Sequence, residues 1–355
     1  MLKTIQHSFP LIGNAEKNAL NKVLNTSFLA QGREVEKFEK GVSEYVGCFH
    51  AQAVNSGTAA LHLALLALDI KAGDEVIIPN YVCRSVLNAV QYARARPVLC
   101  DVDKRTFNIL PAALKSKINK RAKAVIVAHM FGFPAQMDEL KKIRIPIIED
   151  CAQSIGADFK GKLVGSFGDL SIFSFEGTKT ITTGEGGMIL TNSQKLSNKI
   201  TRFKEPYEKD QMPKYTFRMS DLQAAIGRVQ LKKLPGFIFR RRKIAQIYRK
   251  AFKNLKVDLP FENDNMIHSY HRFIISLKKK NQINKVINYC QKKRVMVKRP
   301  IKHYALNQYL GISNKLFPNT DFIMKHCISI PIYPALSEAE IMRIIKVVKD
   351  GVSQL

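Results

Sequence analysis

IIEDCAQSIGADFKGKLVGSFGDLSIFSFEGTKTITTGEGGM, residues 147–188, holds the chemistry around which the rest of the 355-residue chain is arranged. An apolar run, Ile145-Pro146-Ile147-Ile148, ends in Glu149-Asp150, the pattern of a buried parallel strand that delivers a carboxylate at its C-terminal edge. Open α/β sheets bind their ligands at that edge, which puts Asp150 at an active-site address. Past a hairpin signal at Gly161-Lys162, a second apolar strand is expected over residues 170–175. One lysine follows, Lys179, between Thr178 and Thr180, and then Thr182-Thr183-Gly184-Glu185-Gly186-Gly187. A lysine amine beside hydroxyls and glycines, with a carboxylate upstream, suits an aldehyde cofactor with a phosphate tail. The amine condenses with the aldehyde, and the carboxylate keeps a pyridine nitrogen protonated and electron-withdrawing. The cofactor implied is pyridoxal 5′-phosphate. Taken singly, Asp150 reads equally as a helix cap and Lys179 as a solvated side chain. The weight comes from the combination: Asp150, Gln153, Gly165-Ser166-Phe167-Gly168-Asp169, Phe173-Ser174-Phe175, Lys179 and residues 183–187.

Working outward, a short strand over residues 51–54 runs into Asn55-Ser56-Gly57-Thr58, and residues 59–68 are strong helix formers. A helix that starts behind a strand offers free backbone N–H groups and the positive end of its dipole to a phosphate, and Ser56 or Thr58 adds a hydroxyl. An ordinary Ser/Thr cap is the simpler account of the same residues. Strands at 75–78, 97–100 and 124–128 alternate with helices near 82–92, 111–116 and 135–142, which predicts βαβ units and a mostly parallel sheet sandwiched by helices. His129 then falls on the ligand edge, as a packed ring or a substrate contact. Amphipathic helices are expected over 14–24, 34–45, 194–203 and 220–231, with a loop at 26–32 and a polar loop at 204–214. Leu234-Pro235-Gly236 breaks the pattern, so the expected division is a large domain, 1–235, and a smaller C-terminal α+β domain, 236–355. In the latter, helices are expected over 237–255, 281–292 and 337–348, with strands at 273–276 and 295–297.

No apolar run reaches the roughly 20 residues of a membrane span, and residues 1–7 lack the apolar core of a signal peptide, so a cytoplasmic protein is expected. The six cysteines show neither CxxC nor metal-ligand spacing and read as reduced thiols. The charge is +28 and uneven: residues 1–233 carry 33 basic and 22 acidic side chains, residues 234–355 carry 24 and 7. Such a surplus attracts anions over a Debye length of about 8 Å, but no zinc-finger spacing or RNP-type aromatic motif accompanies it, so nucleic acid is not an expected partner.

The ordered motifs resemble the DegT/DnrJ/StrS nucleotide-sugar aminotransferases, within the fold-type I pyridoxal phosphate enzymes. The resemblance runs through Phe28-Leu29-Ala30-Gln31-Gly32, Asn55-Ser56-Gly57-Thr58-Ala59-Ala60, Gly73-Asp74-Glu75-Val76, His129-Met130-Phe131-Gly132, the opening stretch and Arg218-Met219-Ser220-Asp221-Leu222-Gln223. It implies amino transfer, from glutamate, to a keto carbon of a nucleoside-diphosphate sugar. It further implies that Lys179 holds the cofactor and shuttles a proton, that Asp150 faces the pyridine nitrogen, and that Gln153 reaches the phenolic oxygen or ring edge. Ser174 and the Gly57 and Thr58 amides, with Ser56 nearby, would take the phosphate. Sites shared across a homodimer are implied too, with Thr216 and Arg228 as the candidates to reach the partner. In two places the chain departs from the family: Cys83 stands where an aromatic ring usually stacks on the cofactor, with Tyr81 as a substitute two positions away, and Thr216 stands where an asparagine usually reaches the partner's phosphate. A sugar dehydratase on the same fold would carry histidine at position 179. A cofactor-binding regulatory protein without turnover is the alternative that Cys83 and Thr216 suggest, although the two departures bear on substrate choice more than on reaction type.

Overall fold

The computed structural model describes residues 3–204, 211–301 and 304–354, and a seven-stranded sheet lies at its centre. Its strands stand in the order His50–Val54, Gly187–Thr191, Leu170–Ser174, Ile147–Asp150, Ala122–Ala128, Glu75–Pro79, Arg96–Cys100. Gly187–Thr191 is antiparallel to both neighbours and every other pairing is parallel. Alternate side chains of Ala122–Ala128 enter opposite cores. Ala124 and Ile126 pack with residues of the helices Gly57–Ala67 and Arg84–Tyr92, while Val125 and Val127 pack with Leu114, Met137 and Leu140. Glu75–Pro79 and Ile147–Asp150 are buried at every position, as strands covered on both faces must be. The expected hairpin is present, with Asp158–Phe159 antiparallel to Lys162–Leu163.

The helix break expected at Leu234-Pro235-Gly236 does not occur: one helix runs from Asp221 to Phe252 with Pro235 inside it. Ser220 caps it by accepting from the Gln223 N–H, and the Gln223 side chain accepts in return from the Ser220 N–H. Pro235 is exposed, so water can take the acceptor that its missing N–H leaves. Along this helix Leu234, Phe237 and Ile238 belong to the core of the large sheet, and Ile244, Ala245, Tyr248 and Phe252 to a separate core. The changeover therefore lies within the helix, between Ile238 and Ile244.

That second core is built on an antiparallel sheet of Val257–Asp258, Phe273–Leu277 and Cys327–Ile330, packed with residues of the helices Ile283–Lys292 and Glu338–Ser353. The strand expected at 295–297 is reduced to one bridge, between Val295 and Ile5. Residues 304–326, where no element was expected, include the helices Leu306–Tyr309 and Pro318–His326. They are pinned to the ligand edge of the large sheet. Asn80 accepts from the Asn307 N–H at 2.7 Å, and Asp101 accepts from the Thr320 N–H at 3.0 Å and its hydroxyl at 2.7 Å. Part of the polar loop expected at 204–214, residues 205–210, lies outside the described residues. Among the described residues no helix is long and apolar enough to cross a membrane.

Candidate active site

A cavity of about 330 Å³ opens where the strands Ala122–Ala128, Ile147–Asp150 and Leu170–Ser174 end. Ser56, Gly57, Thr58, Cys83, Asp150, Gln153, Ser174 and Lys179 all line it, so eight of the nine positions singled out in the sequence converge. Thr216 is the ninth, and neither it nor Arg228 lines the cavity of its own chain. Arg228 instead pairs with Glu34.

Each side is built by a local feature. Ser56 caps the helix Gly57–Ala67, its hydroxyl accepting from the Ala59 N–H at 3.1 Å. The Gly57 and Thr58 amides have no acceptor among the described residues and are left for a ligand at the positive end of the helix. A side chain at position 57 would put its Cβ 2.9 Å from the Ser174 Cβ, so only glycine lets the helix start lie this close to the strand end. Gln153 accepts from the Phe131 N–H at 3.2 Å, and its amide nitrogen has no partner among the described residues.

Lys179 follows the Glu176 turn, where its N–H donates to the Glu176 carbonyl at 2.9 Å. Its amine makes no hydrogen bond or ion pair with any described residue, and burial holds it below the ordinary lysine range while Asp150, Cys83 and Glu176 pull it back up. Asp150 is 8% exposed and accepts from the Ala152 N–H at 3.0 Å. Burial pushes its carboxyl up, against the pull of that bond and of the Lys179 charge. Such a carboxylate lacks a close cation, and a pyridinium N–H would supply one. An unpartnered amine, an uncompensated carboxylate, free amides at a helix start and a glycine cradle fit pyridoxal phosphate.

His129 is buried, with both ring nitrogens bonded within the wall, and it also lines the cavity. Its Nδ1 accepts from the Ala135 N–H at 3.0 Å, which leaves the proton on Nε2, donated to Glu149 at 2.9 Å. Glu149, not singled out in the sequence, is the hub of the wall. It is wholly buried and also accepts from the N–H groups of Gly165, Phe167 and Gly168 at 2.9, 2.6 and 2.7 Å, which explains the Gly165-Ser166-Phe167-Gly168 motif. Burial alone would raise its pKa, but His129 and these amides hold it below the usual carboxylate range. The depressed value contributes stability above the ordinary carboxylate range, and that contribution disappears as pH falls through the folded-state pKa. Glu149→Gln turns an amide nitrogen toward donors and is expected to cost about 3 kcal/mol at neutral pH. Thermal unfolding against pH checks this, and the gap to wild type should close in acid. Glu176 was likewise not singled out; it lines the cavity and accepts from the Thr178 N–H and hydroxyl at 3.0 and 2.6 Å.

Cys83 is exposed to the cavity, and Tyr81 is no substitute for an aromatic there. The Tyr81 ring is wholly buried against Phe107 and Phe131, at centroid distances of 6.3 Å each. Cys83→Phe is therefore expected to tighten cofactor binding by about 0.5–1.5 kcal/mol, read by cofactor titration of the apoprotein.

Residues 10–349 match the family described as the DegT/DnrJ/EryC1/StrS aminotransferase family. The chain is 34% identical to a GDP-perosamine synthase of Escherichia coli O157:H7, over 96% of each chain. It is 32% identical to the spore coat polysaccharide biosynthesis protein SpsC of Bacillus subtilis, over 98% of this chain and 96% of that one. The fold matches a putative sugar aminotransferase, Spr1654, from Streptococcus pneumoniae in its PLP form, with a TM-score of 0.93, 24% identity and 99% of each chain covered. The chain belongs to the DegT/DnrJ/EryC1/StrS family, as a pyridoxal-phosphate-dependent sugar aminotransferase.

Proposed function

We propose that this enzyme moves an amino group from glutamate to the keto carbon of a nucleoside-diphosphate sugar, in amino-sugar biosynthesis. The observation that carries the reading is the unpartnered Lys179 amine in a cavity shared with Asp150 and the free Gly57 and Thr58 amides. The names of the perosamine synthases supply the substrate class.

Bound in this cavity, pyridoxal phosphate supplies an electron-withdrawing ring to the carbon that bears the amine. The Gly57 and Thr58 amides and the Ser174 hydroxyl bind its phosphate. Asp150 holds a proton on the ring nitrogen, and Gln153 uses its spare amide N–H on the ring edge. Lys179 Nζ, whose pKa burial lowers, would be the base that takes the proton from the amine-bearing carbon and the acid that returns it on the far side of the nitrogen. Lysine at 179 supports amino transfer over dehydration. Cys83 lowers the grip on the ring without removing any group that moves a proton.

The reading places the enzyme in the cytoplasm: the six cysteines are free, as a reducing compartment keeps them. It is also a homodimer. A groove of about 1240 Å³ beside the helix Asp221–Phe252 is lined by Phe28 and Leu29, which are 81% and 42% exposed, a state that a second chain would relieve. Thr216 would then act in the partner's site. Mixing Lys179→Ala chains with Thr216→Ala chains is expected to restore activity in the heterodimer, and no recovery after verified exchange counts against sharing.

The experiment for the function is to incubate the holoenzyme with glutamate and a panel of nucleotide keto-sugars and to find which gains an amine. A protein that holds the cofactor and exchanges with no donor would instead be regulatory.

A further inference from the structure

A second cavity, of about 640 Å³, shares no lining residue with the catalytic one. It lies where the loop after the strand Arg96–Cys100 meets the three-stranded sheet, so Lys104, Arg105 and Phe107 line it from one side and Val257, Ile274 and Ser276 from the other. A molecule held there touches both parts of the chain. Leu259, Pro260, Phe261 and Phe322 extend the apolar lining.

The charged groups around it do not balance. Four basic side chains and two acidic ones line the cavity, and both acids are already paired. Glu262 pairs with Arg249 at 3.0 Å, and Arg249 also donates to the Pro260 carbonyl at 2.6 Å, while Asp258 pairs with Lys278. Lys104, Arg105 and Lys253 have no acidic partner among the described residues. Asp103, the acid nearest to Arg105 in the chain, accepts from the backbone N–H groups of Arg105 and Thr106 at 2.7 and 2.8 Å. That contact, with Phe107 at φ +65°, fixes the turn that presents the two cations. The Arg105 guanidinium lies over the Phe261 ring, 4.3 Å from its centroid, and Lys104 Nζ lies 5.4 Å from that of Phe322. A cation held against a ring face keeps its N–H groups for an acceptor, and a guanidinium offers its outer plane to a further ring.

We propose that this cavity binds a free nucleoside diphosphate, with the base on the apolar lining and the phosphates at Lys104, Arg105 and Lys253. An inorganic anion would leave the aromatic faces uncovered, and a neutral ring would leave three cations unmet. A terminal phosphate carries a charge of about −1.5 to −2, which a sugar attached there would reduce, so the free diphosphate is the better match to three unpaired cations. The volume falls within the range of about 300–1,000 Å³ usual for small-molecule sites.

The test is equilibrium dialysis of the holoenzyme against labelled GDP. Wild type is expected to bind two GDP per chain, one in each cavity. A chain carrying Lys104→Glu and Arg105→Glu is expected to bind one over the same concentrations, because the second cavity loses about thirtyfold in affinity. Guanosine, without phosphates, and pyrophosphate, without a base, should each displace GDP from that cavity about tenfold less well than unlabelled GDP does. Thermal unfolding shows whether the variant is folded. If it is not, photolabelling of wild type with 8-azido-GDP reads the same site, with label expected on residues 104–107 or 257–262. Equal GDP stoichiometry in wild type and folded variant, pyrophosphate that competes as well as GDP, or the absence of label from both segments overturns the proposal. One GDP on wild type and none on the variant upholds it and counts instead against a nucleotide-sugar substrate in the catalytic cavity.

Discussion

Lys179→Ala is expected to abolish turnover, by about 10⁴-fold or more, and to remove the visible absorption of the bound cofactor. Among the described residues, Lys179 is the one lysine that lines the cavity. Its amine is held below the usual lysine range by burial, so a larger neutral fraction is present near neutral pH than on a surface lysine. Alanine removes both the covalent attachment and the proton carrier, and the fold should survive because the Lys179 side chain makes no hydrogen bond or ion pair with any described residue. A spectrum unchanged in the variant would mean that the cofactor is attached elsewhere.

Asp150→Asn is expected to keep the cofactor and lose turnover by about a hundred- to a thousandfold. The amide preserves the shape and can still accept from the Ala152 N–H, at 3.0 Å in wild type. It carries no charge to hold a proton on the ring nitrogen, so the electron sink weakens while the phosphate contacts of Gly57, Thr58 and Ser174 remain. Absorbance and single-turnover rates with donor separate the two effects. A variant that turns over at the wild-type rate would remove Asp150 from this role.

Much of the site was legible because its residues are fixed by backbone pattern. An all-apolar run ending in Asp150 can only be a covered strand, and a glycine followed by helix formers marks the start of a helix at Gly57. The hub at Glu149 was hidden by its neighbour: two acids end one strand, alternate side chains face opposite ways, and nothing local says which carboxylate the loop 165–168 will wrap. Tyr81 was offered to the cofactor because sequence gives distance along the chain and not the side on which a ring lies. Pro235 looked like a stop because proline breaks an isolated helix, whereas here the apolar residues on either side are anchored in two cores.

The most direct test of the central claim is to reduce the holoenzyme with borohydride, digest it and map the cofactor by mass spectrometry. The account predicts one labelled peptide, with the cofactor on Lys179. Label on any other lysine, or a reduced protein from which the cofactor dialyses away, would contradict it.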